Sequence, residues 1–141
     1  MTLSLIEKKQ TAGKVFFDTN VLLYTLTVGA KAETAYEIMG LGGYISVQVL
    51  NEFVNVSRKR YKLSWDHIEI MLGILRETMI VSSVTLDVHE AAIIIAAQTG
   101  YTIYDSSILA AAKIAGCDVV FSEDMQHGQA VMGVTIVNPF L

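Results

Sequence analysis

Proline, cysteine and charge are all scarce in this sequence, and each scarcity excludes something. A single proline, with no serine- or glycine-rich run, leaves no linker, low-complexity tract or internal repeat on which to divide 141 residues. One domain spanning residues 1–141 is therefore expected. A lone cysteine, Cys117, excludes an internal disulfide, and its apolar neighbours suit a buried structural thiol better than a nucleophile. The longest apolar stretch, Ala91 to Ala97, falls far short of the roughly 20 residues that span a bilayer. At the start of the chain, Leu3 to Ile6 is too short for the apolar part of a signal peptide and runs straight into Glu7 and Lys8. These absences lead to the expectation of a soluble cytoplasmic protein with no membrane partner.

Charged residues make up only 17%, and ten Lys and Arg against fourteen Asp and Glu give a net charge of −4. No basic excess marks a surface for a polyanion. What is abundant is hydrophobic side chain, at 52%, which demands a sizeable core and excludes disorder.

The apolar residues fall into alternating short strands and helices. Val15-Phe16-Phe17 reads as a buried strand ending at Asp18-Thr19-Asn20, followed by helical runs from Val21 to Leu26 and from Lys31 to Met39. Gly40 to Gly43 stops the second run, and Tyr44 to Val47 is the next strand. Apolar residues at 49, 50, 53, 54 and 56 give Val49 to Lys59 one apolar helical face. Ser64 or Asp66 is placed to cap a helix reaching Glu77. Met79 to Val84 is rich in strand formers, and Asp87 to Thr99 reads as a helix stopped by Gly100. After an extended stretch at Tyr101 to Ile103, Asp105 is expected to open a helix that ends at Gly116. Val119 to Phe121 and Val134 to Val137 complete the strands. Strands without polar alternation, separated by helices, predict an α/β three-layer sandwich with a short, mostly parallel central sheet covered on both faces. Sites in such sheets form at the carboxyl ends of the strands.

Four acids fall on that predicted rim. Asp18 ends the first strand, and Asp124 follows the Val119 to Phe121 strand. Glu52 lies early in the helix after the second strand, and Asp105 lies at a helix start. Each has a structural reading taken alone. Asp105 before Ser106-Ser107 suits a helix N-cap, as does Asn20; Asp124 can begin a turn, and Glu52 can be an exposed helix glutamate. Together they pose an electrostatic problem, because two carboxylates ~5 Å apart repel by roughly 3 kcal/mol at an effective dielectric of 20. Lys14 is the only Lys or Arg within five residues of Asp18, Asp105 or Asp124. A bound cation is the simpler compensation, and all-oxygen ligation favours Mg²⁺ or Mn²⁺ over zinc. His67, His89 and His127 show no ligand spacing and no cysteine pair exists, which argues against a zinc site. Phosphate-binding glycine loops and a Gly-x-Ser-x-Gly elbow are absent.

Four segments resemble a PIN domain, in that family's order: Val15-Phe-Phe-Asp18-Thr-Asn-Val-Leu-Leu23, Ile45-Ser46-Val-Gln-Val-Leu-Asn-Glu52-Phe53, Tyr104-Asp105-Ser-Ser-Ile-Leu-Ala-Ala-Ala112 and Val120-Phe-Ser122-Glu-Asp124. At this compact size the likeness is to VapC-type toxins of toxin–antitoxin pairs. The resemblance implies an endoribonuclease dependent on Mg²⁺ or Mn²⁺, usually dimeric and inhibited by a small antitoxin. Carried over by position, Asp18, Glu52, Asp105 and Asp124 are the catalytic, metal-holding acids, with Asn20 and Ser122 as polar supports. A metal-activated water is then the expected nucleophile, leaving 5′-phosphate and 3′-hydroxyl ends. Glu123 is an extra acid with no assigned role. Ser122-Glu-Asp-Met-Gln-His127 also departs from toxins that place an aromatic soon after the last aspartate.

The basic cluster Arg58-Lys59-Arg60-Tyr61-Lys62 offers phosphate contacts through Arg58, Lys59 and Arg60, or only a cationic helix end complementing its dipole. Trp65 reads as a helix anchor and His127 as a loop histidine. Tyr24, Tyr36 and Tyr44 suit core or dimer surface, and Ile93-Ile94-Ile95 and the helix around Met71 suit core or an oligomer or antitoxin interface. Two other functions compete. A haloacid-dehalogenase-like phosphohydrolase would use Asp18 as nucleophile, but needs an aspartate where Asn20 stands. A catalytically silent PIN-like module would bind RNA or protein without cleaving. A receiver domain lacks its acceptor aspartate, since the Met79 to Val84 strand ends without one.

Overall fold

A computed structural model describes residues 14–141, so the reading of Leu3 to Ile6 lies outside the described residues. Among the described residues six strands form one sheet: β1 (Val15–Phe17), β2 (Gly43–Ser46), β3 (Met79–Ser82), β4 (Val119–Phe121), β5 (Ala130–Val131) and β6 (Val134–Val137). Their order is β3-β2-β1-β4-β6-β5, parallel throughout except for the β5–β6 hairpin. The helices are α1 (Thr19–Leu23), α2 (Ala30–Gly40), α3 (Val47–Lys59), α4 (Trp65–Thr78), α5 (Leu86–Thr99) and α6 (Ile103–Ile114), with a 3₁₀ turn at Tyr24–Leu26. The chain steps from β1 through β2 to β3 and then returns across the sheet to β4. Right-handed crossovers in opposite directions place α1–α4 on one face and α5 and α6 on the other. The expected three-layer α/β sandwich is what the chain forms.

β1 lies mid-sheet, and its three residues are fully buried, as their unbroken apolar run requires. Phe17 meets Phe121 of β4 edge to face, 5.4 Å between centroids, and Phe16 and Phe53 are equally enclosed. Cys117 is buried too, and burial pushes its thiol up to about 11, which leaves it an inert core residue.

Several boundaries differ from the expectations, each for a capping reason. Asn20 is not the cap of the first helix: Asp18 is, its side chain accepting from the Thr19 amide, so the helix starts at Thr19 and tightens to 3₁₀ after Leu23. Asp105 is likewise not a cap. The Thr102 hydroxyl accepts from the Asp105 amide, so α6 opens at Ile103 and Asp105 stands within its first turn. Ser46 caps α3, which takes Val47 out of the strand, and Ser64 rather than Asp66 caps α4. Thr85 caps α5 at one end and Gly100, in the left-handed region, closes the other. Strand β5 was not anticipated, because two residues carry no period.

Gly43 at the start of β2 shows how closely β1 and β2 meet. A Cβ there would lie 2.6 Å from a Phe17 ring carbon and 2.8 Å from the Val15 carbonyl oxygen. The carbonyl belongs to the central strand and cannot yield. Gly43→Ala is expected to cost about 2–3 kcal/mol, read as a lower urea midpoint at unchanged slope; an unchanged midpoint would refute this account of the contact.

Candidate active site

The sheet order reverses between β1 and β4, and the crevice beyond their carboxyl ends is where an open α/β sheet offers a site. The Asp18 amide donates to the Phe121 carbonyl at 2.9 Å, extending the β1–β4 pairing into the rim. Asp18 is 4% exposed. One carboxylate oxygen accepts from the Thr19 amide at 2.7 Å; the other accepts from Asn20 Nδ2 at 2.9 Å and Ser122 Oγ at 2.8 Å.

Asn20 connects both sides of the crevice. Its Nδ2 also donates to Asp124 at 3.0 Å, and its Oδ1 accepts from the Glu123 amide at 3.0 Å. Ser122 Oγ in turn accepts from the Asp124 amide at 3.2 Å. On the third wall, Glu52 projects from α3 and accepts from Thr19 Oγ1 at 2.7 Å and Gln48 Nε2 at 2.9 Å. Asp18, Glu52, Asp105 and Asp124 all line one cavity of about 500 Å³, together with Asn20 and Arg60.

The electrostatics follow from that crowding. Burial pushes Asp18 up to about 7 against the opposing hydrogen bonds from Ser122 and Thr19, and the negative charges of Asp105 and Asp124 add to the rise. Asp105 is raised as well, by burial first and then by Asp124 and Glu52. Arg60 is the only Lys or Arg among the described residues that lines the cavity.

Among the described residues no group of three or more His, Cys, Asp or Glu side chains is already arranged to hold a metal ion. Asp18 and Glu52 are turned toward their hydrogen-bond donors, so gathering the acids around an ion requires those side chains to move. The donor chemistry nevertheless fits a hard divalent cation: carboxylates line the cavity with no His or Cys among the described lining residues, and the buried Asp18 carboxylate has no ion-pair partner among the described residues. Asp18, Glu52, Asp105 and Asp124 are the residues that would hold one.

Most of the remaining candidates are placed elsewhere. Arg58 and Lys59 do not line the cavity. Arg58 Nη1 donates to the Leu63 carbonyl at 2.8 Å, and its guanidinium lies 4.9 Å from the Trp65 ring centroid. Trp65 is 59% exposed, so it receives this cation on the surface rather than anchoring the core. His127 accepts from the Asn138 amide through Nδ1 and stays outside the cavity, a loop histidine. Glu123 lines the cavity as well, but its carboxylate is bonded by Lys31 and Tyr24. Burial works to raise its carboxyl, but those two hydrogen bonds outweigh it and hold Glu123 below its usual range. Reading along the chain missed Thr19, Gln48, Tyr24 and Lys31. Thr19 sat inside a quoted motif, whereas Lys31 gave no local signal.

The family model of the PIN domain matches residues 15–130. The chain belongs to the PIN domain family. Comparison with curated proteins finds no match. Among solved structures, a toxin–antitoxin complex from Klebsiella pneumoniae is similar in fold, with a TM-score of 0.68 and 23% identity over 89% of this chain and 98% of that one. So are VapC20 of Mycobacterium tuberculosis, a sarcin-ricin loop cleaving toxin (0.62; 20% identity; 79% and 92% covered), and a DNA-bound VapBC from Salmonella typhimurium (0.65; 19%; 87% and 96%).

The raised Asp18 carboxyl makes metal-free stability depend on pH. Its folded value lies above its unfolded value near 4, so the folded state binds the proton more tightly. That contribution is fully present below about pH 4 and is lost as pH rises through about 7. A divalent ion competes with the same proton, so the rise in melting temperature produced by Mn²⁺ should be larger at pH 8 than at pH 6. Asp105→Asn should raise the metal-free melting temperature at pH 8 by about 2–4 °C and remove the Mn²⁺ increment; an equal increment at both pH values, or one kept by the variant, would contradict this.

Proposed function

We propose that this chain is an endoribonuclease dependent on Mg²⁺ or Mn²⁺, the toxin of a toxin–antitoxin pair. The observation that carries the reading is the buried Asp18 carboxylate, sharing one open cavity with Glu52, Asp105 and Asp124 and with no ion-pair partner among the described residues. Membership of the PIN family and the likeness in fold to a toxin–antitoxin complex and to a sarcin-ricin loop cleaving toxin support it. A bound divalent ion lowers the pKa of water and screens the charge of a phosphodiester.

The chain's own residues fix the acids. Asn20 and Ser122 direct donors at Asp18, Asn20 spans to Asp124, and Thr19 with Gln48 orients Glu52. Arg60, whose side chain has no hydrogen-bond or ionic partner among the described residues, stands on the cavity wall to receive an RNA phosphate. Of the basic cluster, we assign substrate binding to Arg60 in the cavity; Arg58 and Lys59 serve only RNA that extends beyond it.

Partners and setting belong to the same proposal: an RNA substrate, a small antitoxin, a homodimer and the cytoplasm. Ile93 and Ile94 of α5, each 50% exposed, supply apolar surface for association, while Ile95 belongs to the core. Among the described residues no helix is long and apolar enough to cross a membrane.

The test is cleavage of total RNA by the purified protein in Mg²⁺, Mn²⁺ and EDTA, beside Asp105→Asn. Metal-dependent cutting, lost in EDTA and in the variant and leaving 5′-phosphate and 3′-hydroxyl ends, is expected. Cyclic phosphate ends would overturn the mechanism. RNA binding without cutting in any metal would favour a silent binding module. Arg60→Ala should weaken RNA binding and lower its salt slope by about one; an unchanged slope removes Arg60 from the phosphate path.

A further inference from the structure

Among the described residues Glu123 is the one acid lining the cavity that is paired with a cation. Lys31, from the first turns of α2, reaches Glu123 Oε2 at 2.6 Å, the only ion pair among the described residues. Tyr24, at the start of the 3₁₀ turn, donates its hydroxyl to the other oxygen of Glu123. The ammonium also lies 5.1 Å from the Tyr24 ring centroid and 5.5 Å from that of Phe140, and those two rings meet edge to face at 4.9 Å. Segments far apart in the chain thus close on one side chain: the turn after α1, α2, the end of β4 and the residues after β6.

The backbone consequence falls on the neighbouring residue. Glu123 is held from both ends, its carboxylate by Lys31 and Tyr24 and its amide by Asn20 Oδ1. Asp124 follows directly, its amide on Ser122 Oγ and its carboxylate on Asn20. Both of these adjacent acids line the cavity, but among the described residues only Glu123 is paired with a cation, so its side chain is fixed while the charge of Asp124 stays uncompensated. Lys31 stands outside the cavity and anchors the bend at Glu123.

The geometry points to Lys31, Tyr24 and Phe140 as a clasp on Glu123 that fixes the bend presenting Asp124 to the cavity. Lys31 and Glu123 are positioning residues, acting on a metal through Asp124. The inference rests on the metal reading above, but the clasp can be tested without it.

The experiment measures Mn²⁺ binding by calorimetry and amide hydrogen exchange in the metal-free protein, for wild type, Lys31→Met, Lys31→Arg, Glu123→Gln and the Lys31→Met/Glu123→Gln pair. Lys31→Met is expected to weaken Mn²⁺ binding about threefold to fivefold and to speed exchange at Asp124 and Met125. Lys31→Arg, which keeps both the ion pair and the ring contacts, should restore both readouts. The double variant should be no worse than the weaker single, as residues acting through one contact require. Tighter Mn²⁺ binding in Lys31→Met would overturn the proposal, showing that Lys31 holds Glu123 back from the ion. Additive losses, or exchange at Asp124 and Met125 unchanged by Lys31→Met, would overturn it as well. Failure of the wild type to bind Mn²⁺ would remove the metal reading, while faster exchange in Lys31→Met would still uphold the clasp.

Discussion

Burying the Asp18 carboxylate at the end of β1 is the constraint to which the surrounding structure answers. A carboxylate taken out of water needs donors, and Asp18 finds them in the Thr19 amide, Asn20 and Ser122. Each donor requires a particular piece of fold. The Thr19 amide points at the carboxylate because Asp18 caps α1. Asn20 reaches it because α1 turns immediately after the strand. Ser122 arrives because β4 lies in parallel register beside β1, Phe17 opposite Phe121, so that both strands end together. The buried phenylalanines beneath the site therefore do more than fill the core. They fix the register that brings residues 18 and 122 within 2.8 Å.

Donors satisfy one carboxylate but do not cancel the charge of four. The cavity concentrates Asp18, Glu52, Asp105 and Asp124, and among the described residues one cation, Arg60, lines it. A fold selected for stability alone would place a lysine or a neutral side chain among them. Holding like charges together without an ion-pair partner for them among the described residues is the tension between stability and activity expected of an active site. Glu123 shows the alternative within the same loop. There the negative charge meets Lys31 and a tyrosine hydroxyl and belongs to the protein's own framework.

Much of this architecture was legible along the chain because it depends on local periods. Val15–Phe17 and Val119–Phe121 carry unbroken apolar runs that only a doubly covered strand can bury. Helix α3 carries its apolar face at the expected spacing, and Gly100 marks the end of α5 by its left-handed backbone. The misread boundaries share one cause. Asp18, Asn20, Thr102 and Asp105 are all competent N-caps by type, and which side chain captures a free amide is decided by backbone direction, not by residue identity. Strand β5 escaped because it exists only through its pairing with β6.

The sequence by itself determined the class of fold, the order of its elements and the presence of carboxylates at several strand and helix ends, because hydrophobic period and capping chemistry act over a few residues. Only the tertiary structure decided which acids share one cavity and which of them is given a cation. Asp124 and Glu123 are neighbours of the same charge, yet one turns toward Asn20 and the other toward Lys31. Among the cations, Arg60 lines the cavity whereas Arg58 is occupied by Leu63 and Trp65. Those outcomes depend on contacts between segments separated by as many as 104 residues, and Coulomb and hydrogen-bond energies are set by distance in space.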